Sequence, residues 1–254
     1  VAASSLYEIL EQNYQKAATP DFIPDDPILL VHRFSKKQDI EIAALFAATL
    51  AWGLRKTIIA KCSELFERMD NRPYEFVLHY QSPDLKPLRG FKHRTFQDTD
   101  LFYFLDFLQK FYQKNESLEQ LFAVAPSEKT VEKGLIRFHQ TFFAADYAPL
   151  RTRKHVASPA KKSACKRLSM FLRWLVRKDA VDLGIWKNIK PRQLTAPLDV
   201  HVSRTARQLG LLQRPKDDWQ AVLELTESLR QFDPQDPIRY DLALFSMGLP
   251  QKVR

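Results

Sequence analysis

Between Tyr147 and Lys178 the chain carries ten lysines and arginines and no aspartate or glutamate. Cations crowded together without acids repel one another, and the phosphates of a polyanion relieve that repulsion. Within the stretch, Lys162, Lys166, Ser169, Arg173 and Arg177 recur at helical spacing. On a helix they would form a basic stripe about 20 Å long at 1.5 Å per residue. Downstream, Pro197-Leu198-Asp199-Val200-His201-Val202 places a carboxylate just before an apolar-periodic run. An aspartate there caps a helix by accepting its free amides.

The elements that must position these residues read as helices. Ser158-Pro159 gives a capping hydroxyl followed by proline at the first helical position, so a helix is expected from there to about Arg177. Its apolar face would be Ala164, Leu168, Phe171, Leu172 and Leu175. Lys161 and Lys162 would oppose the dipole at its start, and a bound phosphate would remove the conflict. Trp174 is a core aromatic at this spacing, with base stacking as the other reading. Helical periodicity also marks Thr57–Met69, Asp100–Tyr112 and Asp218–Phe232. A last helix is expected with Asp236 as its cap, Pro237 at its first position and Gly248 at its end. Gln81–Thr99 and Ala144–His155 read as connections. No convincing alternating strand is present, so the expected fold class is all-α.

Composition narrows the function further. The 254 residues suffice for a full core. The net charge is +9, and without the ten cations of the basic stretch the remaining 29 basic and 30 acidic residues nearly balance. Two cysteines, Cys62 and Cys165, exclude a disulfide framework, and scattered histidines make a metal site or iron–sulfur cluster improbable. With six glycines and neither GxGxxG nor GxxxxGKS/T, nucleotide-dependent chemistry is disfavoured. No apolar run reaches the ~20 residues of a membrane span, and the first ten residues resemble neither leader nor transit peptide. The expectation is a cytoplasmic monomer without metal or cofactor.

Two strings resemble a known superfamily. Lys162-Ser163-Ala164 opening a helix, followed by Pro197-Leu198-Asp199-Val200-His201-Val202, is similar to the helix-hairpin-helix DNA glycosylases, closest in spacing to the archaeal 8-oxoguanine glycosylases. Ile40–Met69 resembles the first core helices of that superfamily. Gly90-Phe91-Lys92-His93-Arg94 resembles its turn before a long helix, and Tyr240–Gly248 its closing helix. The resemblance covers about two thirds of the chain in outline. Ser163-Ala164-Cys165-Lys166-Arg167 with Phe171-Leu172-Arg173-Trp174 also resembles the signature of an uncharacterised bacterial family. Two features depart from the superfamily: His155–Ala160 has no glycine where a Gly-rich hairpin is usual, and cluster-binding cysteines are lacking.

The resemblance implies one two-lobed domain, with residues 41–198 as a central lobe and 1–40 plus 199–254 as a terminal lobe. It implies base-excision repair by an N-glycosylase, with abasic-site lyase activity if an amine takes part. Asp199 would stabilise positive charge on the sugar, and Lys162, or alternatively Lys166, would attack C1′. Lys161, Lys166, Arg167, Arg173, Arg177, His201 and Arg204 would contact nucleic acid. Trp52 and Phe91 would line the pocket for a flipped base. The partner would be duplex DNA with an extruded base, or RNA. The rival expectation is a non-catalytic DNA- or RNA-binding module on the same fold.

Overall fold

The computed structural model describes residues 3–249, with the side chains of residues 3 and 4 left out. The fold is mostly helical. Eleven α-helices run in the order α1 (Ala3–Ala17), α2 (Lys37–Leu50), α3 (Arg55–Glu67), α4 (Pro73–His79), α5 (Asp98–Tyr112), α6 (Glu119–Phe122), α7 (Glu132–Phe142), α8 (Lys166–Val176), α9 (Val200–Gln208), α10 (Trp219–Arg230) and α11 (Asp241–Gly248). Short 3-10 turns occupy four of the links between them: α1–α2, α4–α5, α7–α8 and α8–α9. Among the described residues the only sheet is a two-stranded hairpin, β1 (Lys92–His93) against β2 (Phe96–Gln97). It lies inside the expected Gln81–Thr99 connection.

Helix α2 sits at the centre because it is apolar on every side. Each residue from Ile40 to Leu50 is buried, as expected of a helix with no solvent face. Helix α8 packs along it, while α11 packs between α1 and α9. One continuous apolar core runs from Leu6 to Leu244. Glu41 is the exception inside α2. Its carboxylate is fully buried and accepts from Tyr112, Ser117, the Leu118 amide and Trp186 Nε1. Four donors offset the cost of burying that charge and tie α2 to the segments after α5 and α8.

Two expected boundaries move. The helix expected from Ser158 begins only at Lys166, because Lys162 and Cys165 adopt left-handed backbone (φ 59° and 50°) that no α-helix accommodates. Pro159–Lys161 form a separate 3-10 turn, and Ser163 bridges to Asp218. Asp236 does not cap α11, which starts at Asp241; it pairs with Arg177 instead. Trp174 is fully buried in the core.

Candidate active site

A cleft of about 680 Å³ opens where the C-terminal end of α2 meets the starts of α3, α8, α9 and α11. Helix starts present unpaired amides and a partial positive charge. Two of these ends supply their own counter-charge: Asp199 caps α9, and Asp241 lies in the first turn of α11. The starts of α3 and α8 have neither a capping side chain nor an acid in the first turn. They carry Arg55 and Lys56, and Lys166 and Arg167. Two uncapped helix ends bearing cations therefore face one cleft.

Asp199 splits its two oxygens. Oδ1 accepts from the amides of His201 (2.8 Å) and Val202 (2.9 Å), closing the first turn of α9. Oδ2 stands 3.4 Å from Lys166 Nζ, and both residues line the cleft. The structure thus brings the alternative lysine, Lys166, to the aspartate. Lys162 lies four residues before α8, exposed and outside the cleft lining, with its carbonyl accepting from Trp219 N. Its expected place beside Asp199 is corrected: the left-handed turn at Cys165 delays the helix and puts the first helical lysine at 166.

Trp52 forms part of the cleft wall, half-buried at the end of α2. Arg94 and Arg167 lie over its ring at 5.6 and 5.5 Å. Arg167 also donates to the carbonyls of Thr49 and Lys154, and burial lowers its basicity to about 10. Behind Trp52, at 5.8 Å and edge-on, stands buried His155, with Nε2 3.4 Å from Asp100. Burial alone would raise the Asp100 carboxyl, but the neighbouring His155 and hydrogen bonds from Gln97 N and Thr152 bring it below its usual range. Phe91, expected beside Trp52, is instead a core residue against Phe96 and does not reach the cleft.

Two of the expected nucleic-acid contacts are buried ion pairs. Arg173 and Arg177 are 4% and 3% exposed. Arg173 pairs with Asp182 and Asp241, and Arg177 with Asp179, Asp182 and Asp236. Burial lowers an arginine's basicity, but these carboxylates hold both guanidiniums above their usual range. Neither is free for a phosphate. This face of the helix points inward, and its charges are balanced by Asp179 and Asp182 from the loop just after it and by Asp236 and Asp241 from a distant segment. Arg204 donates to the Gly248 carbonyl, which also lies 3.0 Å from His201 Nδ1, so both residues fasten α11 to α9; His201 lines the cleft as well. Arg153, Lys154, Lys161 and Lys162 remain exposed, and among the described residues none has a carboxylate within 4.0 Å. Lys154 belongs to the cleft, so this basic lip leads into it.

Sequence reasoning missed three cleft residues: Asp26, Arg55 and Asp241. Asp26 and Asp241 are buried, which raises both carboxyls, Asp241 to about 6. The signal for Asp241 was an acid opening an otherwise apolar helix, Asp241-Leu242-Ala243-Leu244-Phe245. Arg55 and Asp26 gave none.

The chain belongs to the family described as protein of unknown function (DUF2400), which matches residues 26–250. No curated protein and no solved structure matches it. Among the described residues, no group of His, Cys, Asp and Glu is arranged to hold a metal ion, and no helix is long and apolar enough to cross a membrane.

Proposed function

We propose that the protein binds DNA with one nucleotide turned out of the stack, and that Lys166 and Asp199 cleave the bond between C1′ and the base. The pairing of Lys166 Nζ with Asp199 Oδ2 at 3.4 Å inside the cleft carries this reading. Base extrusion costs a few kcal/mol. Phosphates held by the basic lip and the uncapped starts of α3 and α8 would offset part of it.

The chemistry follows from the pair. Lys166 is a nucleophile only as a free amine, and Asp199 Oδ2 is placed to take its proton. Nζ then forms a bond to C1′ as the C1′–N bond breaks. The bonding electrons leave with the base, which takes a proton from solvent. Once the proton from Lys166 has passed to solvent, Asp199 is again a carboxylate and offsets the positive charge that develops on the sugar. Nζ then loses a second proton to solvent, the C1′–O4′ bond breaks with O4′ taking up a proton, and the resulting protonated imine between Nζ and C1′ is reduced by borohydride to a stable amine.

The test is borohydride trapping on duplex and single-stranded oligonucleotides containing uracil, hypoxanthine, 8-oxoguanine, alkylated or abasic sites. A covalent adduct is expected with the parent and with Lys162→Ala, and none with Lys166→Ala. An adduct that persists in Lys166→Ala overturns the assignment. The exposed basic lip leading into the cleft also supports a second reading, a module that binds nucleic acid without chemistry. Salt-sensitive DNA or RNA binding without adduct or released base would establish that non-catalytic module.

A further inference from the structure

Buried polar atoms in folded proteins nearly always find partners, so those that do not call for an explanation. Five such atoms belong to residues that line the cleft, two of them the ring nitrogens of His155, whose Nε2 stands 3.4 Å from Asp100. Trp52 Nε1 and Arg55 Nη2 are donors without acceptors, and Asp241 Oδ1 is an acceptor without a donor. Asp241 is 4% exposed, and its other oxygen, Oδ2, is held by Arg173 Nη1. Arg173 is itself fixed by Asp182. The unpartnered oxygen is therefore an acceptor on a rigid base, and it belongs to a cleft lining that also includes the two unpartnered N–H donors' residues, Trp52 and Arg55.

We infer that Asp241 is the specificity-determining residue of the cleft, accepting a ring N–H from the extruded base while Trp52 and Arg55 donate to a carbonyl on the same base. The inference rests on the base-extrusion reading above. The complementary ligand is a lactam: a planar heterocycle with a ring N–H beside a carbonyl, as in hypoxanthine or uracil. Adenine and cytosine present the reverse pattern, with a ring nitrogen acceptor beside an amino group. Either would set a lone pair against the carboxylate and leave the two donors facing N–H groups. Leaving buried polar groups unmatched weakens binding by about tenfold or more.

Arg173 makes the inference testable by a change of one atom. In Asp241→Asn the amide oxygen must turn toward Arg173, because a guanidinium only donates. The amide NH₂ then occupies the place of Oδ1, and the acceptor at the cleft wall becomes a donor.

The experiment measures equilibrium binding of the full chain to two duplexes by fluorescence anisotropy. They differ only in hypoxanthine or adenine at one position, each opposite a tetrahydrofuran abasic analogue so that neither is paired. A 2′-fluoro sugar at that nucleotide blocks cleavage. The parent is expected to bind the hypoxanthine duplex at least about tenfold tighter. Asp241→Asn should abolish or reverse the preference. Trp52→Phe, which keeps the ring and loses the N–H, should narrow it without touching Asp241. Equal affinities in the parent, or an unchanged ratio in both variants, overturn the inference and leave base excision standing for other bases. Failure to bind either duplex overturns both readings.

Discussion

At the residue scale, Asp199 divides its oxygens, one capping α9 and the other 3.4 Å from Lys166 Nζ in the cleft. Asparagine is as good a helix cap as aspartate, whereas alanine loses the cap at a cost of about 1 kcal/mol. Asp199→Asn is therefore expected to melt close to the parent while losing borohydride-trapped product, and Asp199→Ala to lose both stability and product. Parallel melting and trapping assays check this. If Asp199→Asn keeps full activity, Asp199 is only a cap. The string around Asp199 was legible because capping chemistry is local. The choice between Lys162 and Lys166 was not, because the left-handed turns at Lys162 and Cys165 carry no glycine to announce them. Asp241 gives a second check at this scale. Burial raises its folded carboxyl to about 6 from an ordinary 3.8. A raised carboxyl contributes stability that is fully present below about 3.8 and lost as pH rises through about 6. Melting temperatures of Asp241→Asn, relative to the parent, should therefore climb between pH 4 and 6 and level off above. A flat difference would mean that Asp241 ionises as it does in the unfolded chain.

At the scale of elements, helix α8 was legible as amphipathic, but the partners of its polar side were not. Its arginines meet Asp179, Asp182, Asp236 and Asp241, two of them some sixty residues away in sequence. A basic stripe read without the fold looks like a surface, because nothing in the local pattern shows which acids will converge on it. Removing one partner from a buried ion pair leaves a bare charge and costs about 3–5 kcal/mol. Arg173→Ala is expected to unfold at correspondingly lower urea. A loss below about 1 kcal/mol would show that Arg173 is solvated and restore it as a candidate phosphate contact. The α6–α7 contact gives an independent case. A β-carbon on Gly134 would stand 2.0 Å from the Phe122 carbonyl oxygen. Gly134→Ala must push the two helices apart, so a loss of about 1–3 kcal/mol is expected on urea unfolding, despite alanine's better helix propensity. A gain in stability would mean that the helices are not packed so closely.

At the scale of the whole molecule, the fold class followed from periodicity and from the scarcity of strand signals. The hairpin at Lys92–Gln97 escaped because each strand has only two residues. The excess charge was legible as a total, but its division was not. Of the basic stretch, Arg173 and Arg177 are structural, Lys166 faces Asp199, and Arg153, Lys154, Lys161 and Lys162 form the exposed lip. Each phosphate neutralised lowers the logarithm of affinity by about 0.9 per logarithm of salt on duplex DNA. Replacing two lip lysines, Lys154 and Lys161, by Ala is expected to flatten that slope by up to about 2 in a salt titration of binding. An unchanged slope would place the polyanion elsewhere.

The cleft is assembled from both ends of the described chain. Its walls include Asp26 near one end and Asp241, Phe245 and Leu249 near the other. Glu11 on α1 meets Arg239 and Tyr240, and Tyr14 hydrogen-bonds Asp179. A chain emerging from the ribosome can form α2, α3 and α5 early, but it holds no cleft until α11 arrives to close α1 against α9. Until then Arg173 lacks Asp241 and Arg177 lacks Asp236. Helix α11 and the turn before it thus complete the charge balance of the core and the walls of the cleft together, so that a chain made only as far as α10 has neither.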